Sequence, residues 1–352
     1  MTEREKQLLG KYELLSELGR GGMGAVYRAH DPIIGRDVAI KVILDVALSA
    51  PGTRERFQRE ARSAGRLSHE NIVTLHDFDE WDGKPYLVME LLAGTDLRQA
   101  ILDDSLPLAK RLDIALQVAK GLEFAHSQSV IHRDIKPANI MILENGRAKI
   151  LDFGIARLDS DAGTMTHSSL GTPRYMSPEQ IRGEPVDRRS DIFSFGVMLY
   201  EMFTGTNPFA ADTVPTVVHR ILNEDPLPMG QLDPQLDSRL QRLVARCMAK
   251  DAAQRISDLA EAIRELETII ADPTPKVEQT RANANADATT VVPRDRKHAP
   301  TAAPPAPAAA PAHGVPQAPR AAAPSGNARA AAPAAGAPAP AREPKREPDR
   351  SS

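Results

Sequence analysis

Apolar positions along this chain change their spacing near residue 92. Before it they come in short runs with β-branched residues, at 12–18, 25–30, 37–44, 71–77 and 85–91, which predict strands. One helix-patterned segment, 53–67, lies among them. From Asp96 the spacing becomes helical. Residues 97–103 and 108–127 predict helices, the second with Leu112, Ala115, Leu116, Ala119 and Leu122 on one face. Residues 186–205, 213–223, 234–248 and 257–271 predict four more. The pattern is that of an α+β protein, a small β-rich part followed by a larger helical one, without internal repeats.

Periodicity stops at Ala271. The remainder is Ala, Pro, Gly and charge, and 16 of the 29 prolines lie from Pro273 onward. Such a segment buries too little apolar surface to offset its ordering entropy, so it is expected to be disordered with local polyproline II character.

Charge sharpens this division. Eleven Lys/Arg against six Asp/Glu give the segment from Pro273 onward +5, leaving −8 on the first 272 residues of a chain with net charge −3. An acidic globular part argues against nucleic acid as its main partner. Cys247 is the only cysteine, which excludes an intrachain disulfide framework and suits a reducing cytoplasm. The first 11 residues are polar, and no apolar run reaches the length needed to span a bilayer. The run at 192–203 is interrupted by Ser194 and Glu201.

Candidate chemistry falls in order along the chain. Gly19-Arg20-Gly21-Gly22-Met23-Gly24-Ala25-Val26 has Gly-x-Gly-x-x-Gly-x-Val spacing. Glycines let the backbone turn sharply and approach phosphate oxygens with no Cβ in the way. A dinucleotide-binding loop uses similar glycines, but runs from strand into helix with an acid about 20 residues further on. Here β-like Val26-Tyr27-Arg28 follows, and the corresponding position is Lys41. A strand-turn-strand flap over ATP is the better match. Val38-Ala39-Ile40-Lys41 sets that lysine on a buried-looking strand, as a ligand for the α- and β-phosphates. A buried ammonium needs a counter-charge. Glu60 on the next predicted helix is the first candidate, and Glu55 is its rival.

Further on, His132-Arg133-Asp134-Ile135-Lys136-Pro137-Ala138-Asn139 is followed by Asp152-Phe153-Gly154. Phosphoryl transfer from ATP needs groups of these types. One carboxylate orients the attacking hydroxyl, while an amide oxygen and a second carboxylate hold Mg²⁺ against the phosphates.

With these motifs in this order, residues 12–271 resemble the bacterial eukaryotic-like (Hanks-type) serine/threonine protein kinases. The resemblance implies a bilobal protein kinase fold. An N-terminal extension, 1–11, precedes a small β-rich N-lobe with one key helix, 12–91, and a larger α-helical C-lobe, 92–271. A disordered Pro/Ala-rich tail, 272–352, follows. It implies Asp134 as catalytic base, Lys136 as a γ-phosphate contact, and Asn139 and Asp152 as ligands of Mg²⁺ (or Mn²⁺). Gly19, Gly21 and Gly24 cover ATP, and Lys41 with Glu60 holds its phosphates. Val26, Ala39 and Met141 sandwich adenine beside the gatekeeper Met89. The C=O of Glu90 and both backbone groups of Leu92 meet the adenine edge. An apolar slot with a few backbone hydrogen bonds is the expected chemistry for that ring.

The resemblance also places an activation loop over 155–176. Arg133, just before Asp134, implies control by loop phosphorylation, since a phosphate adds nearly two negative charges that an arginine can pair with. Thr164 and Thr166 are the implied autophosphorylation sites, modified in trans, with Ser168 and Ser169 weaker. Thr172 is placed in the substrate platform. Glu179 is expected to pair with Arg255, Asp191 to cap the catalytic-loop backbone, and His69 to contact the helix bearing Glu60. Ser177, Ala138 and Phe193 depart from the family's commoner Ala, Glu and Trp without touching a catalytic group.

Many such kinases continue past a linker into a membrane span and an extracellular sensor. This chain ends at Ser352 with neither, which fits a free cytoplasmic kinase or a piece of a longer protein. Implied partners are proteins phosphorylated on Ser or Thr and a second kinase domain, as a homodimer. Thr289 and Thr290, near Asp287, could dock a phosphothreonine-binding module, although plain linker composition accounts for them too. Two other classes are a catalytically weak kinase-fold scaffold and a small-molecule kinase. Intact Lys41, Asp134, Asn139 and Asp152 speak against the first, and Gly171-Thr172-Pro173-Arg174-Tyr175 against the second.

Overall fold

The computed structural model describes residues 7–21, 24–44, 52–153 and 173–273. Strands β1 (Leu8–Leu9), β2 (Tyr12–Gly21), β3 (Gly24–Asp31) and β4 (Arg36–Ile43) precede helix α1 (Thr53–Ala64). Strands β5 (Leu75–Trp81) and β6 (Lys84–Glu90) follow. They form one antiparallel sheet in the order β1-β2-β3-β4-β6-β5. Period-two alternation gives it two apolar faces. Val38, Ile40, Tyr86 and Val88 pack with Leu9, Tyr12 and Ala29 on one side. On the other, Ile43 and Leu87 receive Phe57 and Ala61 of α1.

Three boundaries differ from the sequence reading. Leu8 and Leu9 pair with Glu13 and Tyr12, so the sheet begins inside the supposed extension. Helix α1 ends at Ala64, where Gly65 donates its N–H back to Ala61. The strand expected from residue 71 starts at Leu75. Residues 71–74 leave the sheet and bond elsewhere: Val73 N–H to Ile150 O at 2.9 Å, and Ile150 N–H to Asn71 O at 2.9 Å.

Strand β7 (Gly94–Asp96), helices α2 (Leu97–Leu102) and α3 (Leu108–Ser127), and strands β8 (Ile140–Leu143) and β9 (Ala148–Ile150) come next. The three strands form a small sheet, β7-β8-β9. They are too short to leave a readable period. Then come α4 (Pro178–Arg182), α5 (Arg188–Thr204), α6 (Val214–Asn223), α7 (Met229–Leu232), α8 (Ser238–Cys247) and α9 (Leu259–Ala271). Helix α5 is buried on every side from Ser190 to Tyr200, as expected for a helix apolar all round. Around it α8 packs, while α3 packs on α9, giving one continuous core. The result is a small sheet-and-helix lobe and a larger helical lobe. No helix among the described residues is long and apolar enough to cross a membrane.

Candidate active site

The segment between α3 and β8 carries the first cluster of site residues. Its backbone is strained: Ser129 and Arg133 have φ of 60° and 67°. Buried Asp191 of α5 holds it in place. One carboxylate oxygen accepts the His132 N–H at 2.7 Å, and the other the Arg133 N–H at 2.7 Å. His126 Nε2 adds a contact of 2.8 Å, and Gln180 Nε2 donates to Arg133 O at 3.0 Å. Burial alone would raise the Asp191 pKa; His126 and the two N–H donors outweigh it and hold the group below the usual carboxylate range. His132 uses both ring nitrogens. Nδ1 accepts the Asp134 N–H at 3.2 Å and Nε2 donates to Leu151 O at 2.7 Å, while the ring edge meets Phe153. That pattern requires the neutral tautomer and makes His132 an orienting group.

Asp134 projects from this held backbone. Its Oδ2 accepts from Lys136 Nζ at 2.6 Å and Asn139 Nδ2 at 3.1 Å. Asn139 Nδ2 also donates to Asp134 O at 2.8 Å. The 3₁₀ turn Pro137–Asn139 sets this geometry, and Leu151 N–H bonds Asn139 O at 2.8 Å, linking it to the Asp152 segment. Among the described residues no hydrogen bond reaches Asp134 Oδ1. Asp152, at φ 55°, lies 2.7 Å from Lys41 Nζ. Burial pushes the Asp152 pKa up, but Lys41 above all, with Lys136, outweighs it, so the carboxylate stays ionised.

Lys41 itself is buried on β4. Its expected partner was Glu60. The structure instead gives Lys41 to Asp152, and Glu60 Oε1 to Arg133 Nη1 at 3.3 Å. The left-handed turn at Asp152 carries that carboxylate onto β4, while α1 sets Glu60 above the catalytic loop, facing the Arg133 guanidinium. Glu55, the rival, is exposed. The His69 ring stacks on Phe124 of α3 at 5.1 Å.

Beside Lys41 lie residues expected to form the nucleotide slot. A Cβ on Gly24 would lie 2.2 Å from Val42 O, so glycine there serves the sheet. At Gly19 and Gly21 an added Cβ meets nothing within 4 Å, so the chain's own packing does not require glycine there. Val26 pairs with Lys41, and Ala39 with Met89. Met89 borders a small cavity shared with Ala64, Leu75, Asp152 and Phe153. Leu92 and Met141 are half-buried.

A family model described as "Protein kinase domain" matches residues 12–267. The chain belongs to the protein kinase family, among its bacterial Hanks-type serine/threonine members. It is 40% identical over 267 residues to a probable serine/threonine-protein kinase of Streptomyces coelicolor, covering 74% of this chain and 40% of that protein. PknB of Mycolicibacterium smegmatis is 40% identical over 265 residues, covering 73% and 42%. The crystal structure of the Mycobacterium tuberculosis PknI kinase domain aligns with TM-score 0.62 and 29% identity, covering 76% of this chain and all of that one. The chain therefore spans about two fifths of the length of the curated relatives it matches.

In this kinase fold the C-lobe side is anchored by a buried ion pair. Arg255 grips Glu179 through two bonds of 2.7 and 2.8 Å, and Ser190 donates to the same carboxylate. Burial works to raise the Glu179 pKa, but these donors win and push it down to about 2. The site's donor set suits ATP with a hard divalent cation. Asn139 Oδ1 and the Asp152 carboxylate are oxygen donors, and Mg²⁺ commonly takes only one or two protein carboxylates besides phosphate oxygens and water. Thr164, Thr166 and Thr172 lie outside the described residues. Sequence reasoning missed one participant, Lys149, which bonds the Glu90 carboxylate at 2.6 Å. A lysine in the otherwise apolar run Ala148–Ile150, just before Asp152, was the available signal.

Proposed function

We propose that this chain transfers the γ-phosphoryl group of ATP to Ser and Thr hydroxyls of proteins. The observation that carries the reading is Asp134. Two cationic or amide donors fix its Oδ2, leaving Oδ1 to accept a hydroxyl, within a cleft that also holds the Lys41–Asp152 pair. Asp134 orients the hydroxyl and takes its proton. Lys136 and Lys41 exchange their carboxylate partners for the γ-phosphate and for the α- and β-phosphates. Asn139 and Asp152 hold Mg²⁺ (or Mn²⁺), which when bound offsets charge on the transferring group. Val26, Ala39, Met89 and Met141 enclose adenine, with Glu90 C=O and Leu92 N–H and C=O at its edge.

Activation follows from the Arg133 contact. Phosphate on Thr164 or Thr166, added in trans, competes with Glu60 for Arg133. Glu60 then exchanges Arg133 for Lys41 and becomes its counter-charge. Thr172 contributes to the substrate platform. A kinase-domain homodimer would serve the trans step, phosphorylated Thr289 and Thr290 would dock a phosphothreonine-binding module, and the cytoplasm supplies ATP.

The test is phosphate transfer from labelled ATP to a generic basic protein. Transfer by the wild-type chain, lost in Asp134→Asn and strongly reduced in Thr164→Ala/Thr166→Ala, supports the reading. Absence of transfer after incubation with ATP refutes it in favour of a scaffold.

A further inference from the structure

Lys149 is only 7% exposed, and a buried ammonium must be bonded. Three elements converge on it. Nζ donates to Glu90 Oε1 at 2.6 Å and to Ile72 O at 3.2 Å, while its backbone belongs to β9, opposite Met141 of β8. Glu90 is secured further. The same Oε1 accepts the Thr74 N–H at 2.7 Å, and the Glu90 N–H donates to Thr74 O at 3.0 Å. Segment 71–74 is itself bonded to Ile150, next to Lys149. Burial pushes the Glu90 pKa up, but Lys149 and Thr74 outweigh it, so the group remains a carboxylate.

We infer that Lys149 is a positioning residue for nucleotide binding. It fixes the last residue of β6 against the strand that pairs with Met141, and so sets the distance between rim and floor of the adenine slot. The inference rests on the reading that Glu90, Leu92 and Met141 receive adenine. None of these bonds involves Asp134, Asn139 or Asp152, so the lysine acts on nucleotide affinity and leaves the chemical step alone.

Lys149→Met removes the charge while keeping the length. It is expected to raise the KM for ATP and the calorimetric Kd for Mg·ADP about tenfold, the size of one lost charge-assisted hydrogen bond, with kcat and the KM for the protein substrate within about threefold. Lys149→Arg, which retains donors for Glu90 and Ile72, should return both nucleotide constants to within about threefold of wild type. Lys149→Met leaves the half-buried Glu90 carboxylate with the Thr74 N–H and no counter-charge, and could fail to fold. The double variant Glu90→Gln/Lys149→Met carries no such charge and should fold with nucleotide affinity still reduced about tenfold. Folded variants that bind Mg·ADP like wild type overturn the inference. A fall in kcat with unchanged nucleotide constants also overturns it, since that marks a merely structural lysine. A wild-type chain that binds no Mg·ADP would instead sink the reading of the slot, and the inference with it.

Discussion

The catalytic loop and helix α1 face each other across the cleft but are secured by different means. The loop is strained at Arg133 and is held by a buried carboxylate, Asp191, whose two oxygens take two backbone N–H groups and a histidine. Helix α1 presents Glu60 to Arg133 across a longer contact of 3.3 Å, between two half-buried side chains. The first arrangement belongs to the core and has no alternative partners. In the proposed activation the second pair exchanges partners, Glu60 for Lys41 and Arg133 for a phosphate. The proposal thus puts chemistry on the rigid side and control on the side with exchangeable partners.

This contrast fails or sharpens on five substitutions or conditions. Asp134→Asn removes the base and keeps the shape. Turnover should fall about 10²- to 10⁴-fold while the melting temperature hardly moves, as read by transfer assay and calorimetry. Asp191→Ala should lower activity and stability together, by on the order of 3 kcal/mol, because it orphans two buried N–H groups. A variant that loses activity at wild-type stability would show the loop is not held from the core.

Acid stability probes the same rigid side. The Glu179 pKa is depressed from an ordinary value near 4.5 to about 2. A depressed carboxylate contributes stability above its unfolded pKa and loses it as pH falls through the folded one. The loss should run from about pH 4.5 to about pH 2 and total on the order of 3 kcal/mol, followed by denaturant melts at stepped pH. Glu179→Gln should flatten that window. On the exchangeable side, Glu60→Gln should cut turnover of the loop-phosphorylated enzyme about tenfold and change stability by less than about 1 kcal/mol. A large stability loss would make α1 part of the rigid scaffold after all. Smallest of all, Cys247, whose thiol burial pushes up to about 12, should resist alkylation at pH 8 in the native chain and react on unfolding.

Short-range signals were the legible ones. The turn between β2 and β3, Lys41 within a strand, and the spacing of Asp134, Asn139 and Asp152 could be read because each depends on neighbours in the chain. What escaped depends on distant segments meeting. Glu60 and Arg133 are 73 residues apart, and Lys149 and Glu90 are 59 apart, so no local pattern announces either pair. The stacking of His69 on Phe124 of α3 escaped for the same reason. Residues 71–74 read as a strand of the first sheet because their alternation suits any edge, and the edge they found is Ile150.

The central claim is that Lys41, Asp134, Asn139 and Asp152 serve one nucleotide–metal complex. Calorimetric titration of ATP with and without Mg²⁺, in wild type, Asp134→Asn and Asp152→Ala, tests it most directly. Mg²⁺-dependent binding that survives Asp134→Asn and disappears in Asp152→Ala is the expected result. Binding that ignores Mg²⁺, or that Asp152→Ala leaves intact, would contradict it.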